Sequence, residues 1–111
     1  MEIALEDGIP TYSGGLGVLA GDLLRAAADL ALPIVGVTLA SRLGYFRQRI
    51  VKGAQQDEPE PWDPAGHAER LPFKAMVRLE GREVWIAAWR YWLRSRCPGA
   101  DPVPVLLLDT D

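Results

Sequence analysis

The spacing of apolar residues in the first third of the chain predicts a helix. Residues at intervals of three and four positions form one apolar stripe, which consists of Leu16, Leu19, Leu23, Ala27 and Leu30. This is the period of one face of an α-helix, so we predict a glycine turn and helix over residues 13–31 with the stripe towards the core. The charged residues on the other face should meet water. Ser13 or Gly14 is the expected N-cap, and Pro33 is expected to end the helix.

Continuous apolar residues after this helix predict strands within residues 34–50. Residues 34–39 are β-branched or apolar at almost every position, which is typical of a strand covered on both faces. A second short strand is predicted for residues 45–50, after a turn at Gly44. Because a helix that leads directly into such a strand is half of a βαβ unit, the pattern favours an α/β fold.

The second half of the chain predicts a loop, a hairpin and a last strand. Residues 52–72 are acidic and rich in proline without periodicity, which predicts a surface loop within one domain. Alternation around residues 80–82 predicts a hairpin over residues 73–92, and the apolar run at 103–108 predicts the last strand. Both ends of the chain resemble interrupted elements, so we expect an incomplete domain over residues 1–111.

Composition narrows the class of protein. A chain of 111 residues has the length of one domain, and 49% hydrophobic with 24% charged residues is typical of a globular one. Fifteen acidic against twelve basic residues argue against a nucleic-acid partner. No apolar run approaches the ~20 residues of a membrane span. With one cysteine and no secretory signal, we expect a cytoplasmic protein without a membrane partner.

The strongest candidate site is the segment Ser13-Gly14-Gly15-Leu16-Gly17 ahead of the predicted helix. Glycines let a ligand approach the backbone, and the first helical turn leaves N–H groups without partners. Together with the helix dipole, these groups favour an anion such as phosphate. A tight turn into a closely packed helix, without any ligand, explains the glycines as well. The segment matches neither the dinucleotide-binding pattern nor the P-loop.

Other reactive side chains carry weaker signals. His67 lies in the acidic loop without a placed partner and is expected to be solvated rather than catalytic, and Cys97 is expected to be an exposed cysteine. Asp109 and Asp111 point to the same side of a strand, but a cation needs a third ligand. We therefore predict neither a catalytic residue nor a metal site. In residues 89–96, indoles are expected to pack inward while arginines face water.

Several longer runs resemble one family. The pattern P-x-Y-S-G-G-L-G-V-L-A-G-D at residues 10–22 and G-Y-F-R-Q-R at 44–49 are similar to the N-terminal domain of α-glucan (glycogen/maltodextrin) phosphorylases of the short bacterial and archaeal type. The similarity continues more weakly through residues 84–90 into the final L-L-L-D-T-D. Ser41 departs from the family pattern, which commonly has an aromatic residue there, and Ala31 stands where glycine is usual.

This resemblance implies a fold, an activity and a cofactor. The fold is a partial Rossmann-like N-terminal domain of a GT-B glycosyltransferase. The activity is cleavage of terminal bonds of an α-1,4-glucan by inorganic phosphate to give glucose 1-phosphate. Pyridoxal phosphate is held by a lysine of the C-terminal domain, and neither Lys52 nor Lys74 lies in a matching context. By the resemblance alone, we expect the chain to be an incomplete phosphorylase that is inactive by itself.

The resemblance also assigns roles to residues. Gly14, Gly15, Leu16 and Gly17 correspond to the family's phosphate-facing turn, in which the amides of Gly15 and Leu16 meet phosphate or sugar oxygens. Glu2 and Ser13 are expected to hold this turn in place. Two alternatives remain open: another GT-B glucosyltransferase of the starch or glycogen synthase type, which uses an ADP-sugar, and a non-catalytic remnant that binds an anion or a glucan.

Overall fold

A computed structural model describes residues 2–44 and 46–110, and its fold is mixed α/β. One helix, six strands and one short 3₁₀ turn occur in these ranges. Their order along the chain is α1 (Gly15–Asp29), β1 (Gly36–Leu39), β2 (Arg47–Val51), β3 (Ala54–Glu58), the 3₁₀ turn (Pro64–Gly66), β4 (Glu69–Leu79), β5 (Arg82–Leu93) and β6 (Val103–Asp109).

Four of the strands form one mixed sheet in the order β1-β6-β5-β4. β1 and β6 are parallel, with Gly36 opposite Val105, whereas β5 is antiparallel to both β6 and β4. β2 and β3 form a separate antiparallel hairpin. The main sheet therefore combines a parallel pair, which needs a crossover connection, with an antiparallel meander.

The core lies between α1, the N-terminal segment and the middle of the sheet. Strand β6 buries alternate residues, and Val103, Val105 and Leu107 have almost no exposed surface. From the helix, Leu24 and Ala28 pack into the same cluster, and Ile3 and Leu5 join it from the N-terminal segment. Gly36 allows close contact here, because a Cβ atom would lie 3.0 Å from Leu24 Cδ1.

The predicted buried stripe of the helix is wrong at its four leucines, whereas its fifth member, Ala27, is buried as expected. Leu16, Leu19, Leu23 and Leu30 are exposed, and the buried helical residues are Gly17, Gly21, Leu24, Ala27 and Ala28. The reason is the closeness of the N-terminal segment, since a Cβ atom on Gly21 would lie 2.2 Å from the carbonyl oxygen of Ala4. Apart from Leu24, the buried face consists of glycine and alanine, which fit this contact and are weaker than the leucines in a hydrophobicity pattern.

The helix ends before Pro33, through a backbone turn at Ala31. Ala31 has a φ of 53°, its N–H donates to the Ala28 carbonyl oxygen at 3.1 Å, and the Leu32 N–H donates to the Ala27 carbonyl oxygen at 2.9 Å. This pair of bonds is the Schellman motif, in which glycine is the usual residue in the left-handed position. The alanine therefore occupies a strained conformation.

The predictions for the strands after the helix need two corrections. β1 spans only Gly36–Leu39 and is an edge strand of the described sheet, so the expected cover on both faces is wrong: Gly36 and Thr38 are buried, whereas Val37 and Leu39 are exposed. The second strand is β2, which begins at Arg47. The predicted start at Tyr45 lies outside the described residues.

The prediction of a loop over residues 52–72 is also wrong. Strand β3 and the beginning of β4 lie in this range. Lys52 and Gly53 have φ values of 50° and 78° and form the tight turn between β2 and β3, as expected for a two-residue hairpin loop with both residues left-handed. β3 has the sequence AQQDE and is exposed on both sides, so no alternation of apolar residues marks it. The predicted hairpin at 73–92 falls within β4 and β5.

Candidate functional site: the glycine turn

The glycine turn forms the N-terminus of α1. Gly14 is the N-cap in an extended conformation, and its carbonyl oxygen accepts hydrogen bonds from the N–H groups of Gly17 at 3.1 Å and Val18 at 3.3 Å. No side chain caps the helix. Within the described ranges, the N–H groups of Gly15 and Leu16 donate to no other segment, as expected for the first turn of a helix. Two backbone donors therefore point away from the helix at an exposed position.

The four glycines of this region differ in how they are packed. A Cβ atom on Gly17 would lie 2.9 Å from Tyr12 Cβ, and one on Gly21 would collide with Ala4. By contrast, nothing lies within 4 Å of the Cβ positions of Gly14 and Gly15. Gly17 and Gly21 thus serve the packing of the helix, whereas packing does not account for Gly14 and Gly15.

Glu2 and Ser13 meet beside the turn. The Glu2 carboxylate accepts hydrogen bonds from the Ser13 backbone N–H at 2.8 Å and from the Ser13 hydroxyl at 3.1 Å. The structure thus brings together the two residues that were expected to hold the turn. Their contact joins the N-terminal segment to the residue that directly precedes Gly14.

Two further contacts hold the N-terminal segment along the helix. The Ala4 N–H donates to the Gly17 carbonyl oxygen at 2.9 Å. The guanidinium of Arg25 donates to the carbonyl oxygens of Leu5 at 2.5 Å and Ala4 at 3.2 Å. Arg25 is one of the charged residues on the helix face that was expected to meet water; its side chain is partly exposed, and its guanidinium also provides the donors that these two carbonyl groups need. Hydrogen bonds from the backbone and from Arg25 therefore hold the N-terminal segment against the helix that begins at the glycine turn.

The two lysines of the chain lie on other elements than the turn. Lys52 is in the tight turn between β2 and β3, and Lys74 is on β4; both are exposed. A Schiff-base lysine is expected beside its cofactor in a position with a perturbed environment. Lys52 and Lys74 are thus exposed side chains on a hairpin turn and a strand, and neither belongs to the glycine turn.

A buried carboxylate connects the loop after β1 to the end of β6. Asp109 is 3% exposed, and its Oδ2 atom accepts hydrogen bonds from Arg42 Nη2 at 2.6 Å, Arg42 Nε at 3.2 Å and the Trp89 indole at 3.0 Å. The Arg42 guanidinium also lies 5.9 Å from the centre of the Trp89 ring. Asp109 thus takes part in a structural network. Asp111, which was considered together with Asp109 as a cation ligand, lies outside the described residues.

A second polar network was missed by sequence reasoning. Glu6 accepts a hydrogen bond from the Tyr91 hydroxyl at 3.2 Å, and its other oxygen lies 2.5 Å from His67 Nδ1. Burial, together with the charge of Glu6 and this hydrogen bond, raises the pKa of Tyr91 above its usual 10.0. His67 is exposed, as expected of a solvated loop residue, but it is also paired with a carboxylate that the sequence did not indicate. Residues this far apart in sequence give no local signal of the pairing.

The remaining reactive groups form no further site in the parts of the chain that the structure describes. Cys97 is exposed and free. Residues 2–44 and 46–110 contain no group of three or more His, Cys, Asp or Glu side chains arranged to hold a metal ion. In the same residues, no helix is long and apolar enough to cross a membrane.

Comparison with known proteins identifies the family. A family profile described as "Carbohydrate phosphorylase" matches residues 4–88, which include the glycine turn, all of α1 and strands β1 to β4. This match covers most of the chain. The chain belongs to the carbohydrate phosphorylase family.

Individual relatives of the chain are also named phosphorylases. The chain is 39% identical over its whole length to glycogen phosphorylase of Mycobacterium tuberculosis and 36% identical to maltodextrin phosphorylase of Thermococcus litoralis. Over 67% of its length it is 46% identical to the H isozyme of α-glucan phosphorylase from Solanum tuberosum. The chain spans 13%, 14% and 10% of the lengths of these three relatives.

Proposed function

We propose that this chain supplies the phosphate-facing glycine turn of an α-glucan phosphorylase. The observation that carries the proposal is the open space at Gly14 and Gly15, beside two glycines that are closely packed. Contacts with neighbouring atoms therefore do not require glycine at these two positions. Here the space lies at a helix N-terminus with two free N–H donors, where backbone approach and dipole favour an anion.

The chemistry of phosphorolysis matches these donors. A phosphate oxygen bonds to the anomeric carbon of the terminal glucose while the α-1,4-glucosidic C–O bond breaks, and the O4 atom of the shortened glucan takes up a proton, so that glucose 1-phosphate is released. Negative charge on phosphate oxygens is best met by donors that are already fixed in place, because no reorganisation is then needed during the reaction. Gly15 and Leu16 would donate from the backbone, and Glu2 with Ser13 would keep the turn in position.

The fold supports a partial Rossmann-like domain of the GT-B type. Strands β1 and β6 are parallel, and α1 leads directly into β1 and packs against the sheet. In open α/β sheets, ligands bind outside the carboxyl ends of the strands and at helix N-termini near them. Within this proposal, pyridoxal phosphate and the basic groups for phosphate come from phosphorylase polypeptide other than these 111 residues. Bound pyridoxal phosphate would supply an acid/base phosphate group to the reaction.

An amide NMR titration of the chain tests the proposal against its alternatives. With inorganic phosphate, we expect shifts centred on residues 14–17, compared with a chloride titration at the same ionic strength. Shifts there with ADP-glucose but not with phosphate would instead support a synthase-type enzyme. No shift with either ligand would contradict a retained anion site and support a structural remnant.

An activity assay tests the second part of the proposal. The chain alone, incubated with maltodextrin, phosphate and pyridoxal phosphate, should release no glucose 1-phosphate, because neither lysine is placed to anchor the cofactor at the turn. Release above background would contradict this assignment. The assay is independent of the titration, which reports only on binding.

A further inference from the structure

Glu6 bonds to side chains from two other parts of the chain. One carboxylate oxygen of Glu6 lies 2.5 Å from His67 Nδ1, and the other accepts a hydrogen bond from the Tyr91 hydroxyl at 3.2 Å. His67 directly follows the 3₁₀ turn, and Tyr91 is on β5. We call Glu6, His67 and Tyr91 the Glu6 cluster. It joins the N-terminal segment to residues that are 61 and 85 positions away in sequence.

Packing holds the imidazole of His67 in place. A Cβ atom on Gly8 would collide with the His67 ring, so the ring lies directly against this backbone. The centre of the Trp62 ring is 6.1 Å from that of His67. The His67 and Glu6 side chains are 30% and 42% exposed, and pairs at such positions contribute little when both partners move freely. Here the contact with Gly8 and the bond from Tyr91 restrict both partners.

The N-terminal segment connects the Glu6 cluster to the glycine turn. Glu2 precedes Glu6 by four residues, and its carboxylate accepts hydrogen bonds from the Ser13 N–H and hydroxyl. Between them, the Ala4 N–H donates to the Gly17 carbonyl oxygen at 2.9 Å. Hydrogen bonds along one short segment form the kind of contiguous network that carries coupling between sites. A change at Glu6 is therefore passed along this segment to the residue that precedes the turn.

The Glu6 cluster contains the only histidine of the chain. Histidine is the side chain that ordinarily changes its charge between about pH 5 and 8. Burial, followed by the charge of Glu6, raises the pKa of Tyr91, so its hydroxyl stays protonated in this range and keeps its bond to Glu6. A protonated imidazole forms a stronger hydrogen bond with a carboxylate than a neutral imidazole does. The strength of the His67–Glu6 bond therefore depends on pH.

The charged groups of the neighbouring elements have other partners or lie further along the same surface. They are Asp7, Arg25, Asp63, Glu69, Arg90 and Arg94. Arg90 donates to Glu69 at 2.7 Å, and Asp63 accepts a hydrogen bond from the Ala65 N–H. Arg25 donates to carbonyl oxygens of the N-terminal segment. Among the residues that the structure describes, the carboxylate bonded to the His67 ring is that of Glu6.

We propose that the Glu6 cluster is a pH-sensitive device that sets the position of the glycine turn. Protonation of His67 strengthens its bond to Glu6, and this bond fixes the N-terminal segment and the contact of Glu2 with Ser13. At higher pH the bond weakens and the turn is held less firmly. Glu6 and His67 are positioning residues, because neither belongs to the turn. The positioning itself needs no anion, whereas its effect on anion affinity rests on the proposed function.

An NMR titration of the ligand-free chain with pH tests the positioning alone. Between about pH 5.5 and 8, the amide shifts of Ser13 and Gly14 should change with the same midpoint as the imidazole shifts of His67. Carboxylic acids ordinarily titrate below this range, so their protonation does not produce the transition. Constant shifts at Ser13 and Gly14, or a midpoint different from that of the imidazole, would overturn the proposal.

Two glutamine variants show whether the transition passes through Glu6. Glu6→Gln keeps the size of the side chain and removes its charge, so the transition at Ser13 should disappear while the His67 imidazole still titrates. Glu69→Gln is the matched control, since it makes the same change beside His67 on β4 and should keep the transition. An unchanged transition in Glu6→Gln, or its loss in both variants, would overturn the proposal. Circular dichroism checks that both variants are folded, and the wild-type titration needs neither.

Sulfate affinity separates this proposal from the proposed function. Sulfate is tetrahedral like phosphate, but it keeps its charge over this pH range. Its affinity should be about threefold higher at pH 5.5 than at pH 8 in the wild type, and independent of pH in Glu6→Gln. A shared transition of Ser13 and His67 without sulfate binding would support the device and contradict the turn as an anion site. Sulfate binding that does not change with pH in the wild type would contradict the effect of the device on the anion.

Discussion

Gly21 of α1 and the carbonyl oxygen of Ala4 lie so close that a Cβ atom on Gly21 would be 2.2 Å from that oxygen. Both groups in this close approach belong to the backbone, one of the helix and one of the N-terminal segment. The Ala4 N–H also donates a hydrogen bond to the Gly17 carbonyl oxygen. The segment that carries Glu2 is therefore placed directly against the helix. This contact connects the packing of the helix to the position of the glycine turn.

Gly21→Ala should reduce the free energy of unfolding by about 2–3 kcal/mol, because overpacking against backbone forces the helix and the N-terminal segment apart. Urea denaturation measures the change. Gly15→Ala is the matched control, since open space surrounds its Cβ position and alanine favours a helix. Equal destabilisation by the two substitutions would show that the close contact is not what Gly21 provides.

Ala31→Gly should stabilise the protein by about 0.5–1 kcal/mol. The left-handed conformation of Ala31, with φ of 53°, costs about 1–2 kcal/mol, and glycine removes this cost while losing some of the gain to its freer unfolded state. Thermal denaturation checks the result. Ala26→Gly, at an exposed position inside the helix, should have the opposite sign. A lower melting temperature for Ala31→Gly would contradict the observed helix end.

Asp109→Ala should destabilise the fold by about 2–3 kcal/mol, since it leaves the Trp89 indole N–H and the Arg42 guanidinium without this acceptor. Chemical denaturation, followed by tryptophan fluorescence, measures the change. Asp101→Ala is the control, because Asp101 is exposed in the loop before β6. A change within error of this control would exclude the network as a source of stability.

Alkaline pH should weaken the fold through Tyr91. Its pKa is raised in the folded protein, chiefly by burial and then by Glu6, so the unfolded chain loses this proton first as the pH passes 10.0. The contribution of Tyr91 to the free energy of unfolding is fully present below pH 10.0, and it is lost as the pH rises through the higher pKa of Tyr91 in the folded protein. Tyr91→Phe should make the decline in unfolding free energy above pH 10 less steep. Identical pH profiles for the two proteins would contradict the assignment.

The local structure of the glycine turn was more predictable than the packing around it. The run Ser13–Gly17 is local, so its glycines and the following helix are visible in the sequence. The buried face of the helix was misplaced because Gly21 depends on Ala4, a contact between distant residues. The apolar pattern of residues 34–39 indicated two covered faces, but within the described residues β1 is covered on only one.

The polar strand β3 and the charged pairs could not be predicted from the sequence pattern either, because contacts in the folded chain define them. β3 carries no apolar alternation, and only its pairing with β2 across the turn at Lys52 and Gly53 defines it. Glu6 and His67 are 61 residues apart, and Arg42 and Asp109 are 67 apart. Pairs separated this far in sequence produce neither a periodic pattern nor a motif, so only the folded structure shows these contacts.

The phosphate affinity of two alanine variants tests the central claim most directly. Gly15→Ala places a methyl group in the open space before the free amides, and Gly66→Ala places one in equally open space at the 3₁₀ turn. If the glycine turn binds phosphate, NMR titration should show the dissociation constant about tenfold higher for Gly15→Ala, a loss of about 1.4 kcal/mol, and unchanged for Gly66→Ala. Equal affinities of both variants and the wild type would contradict the claim.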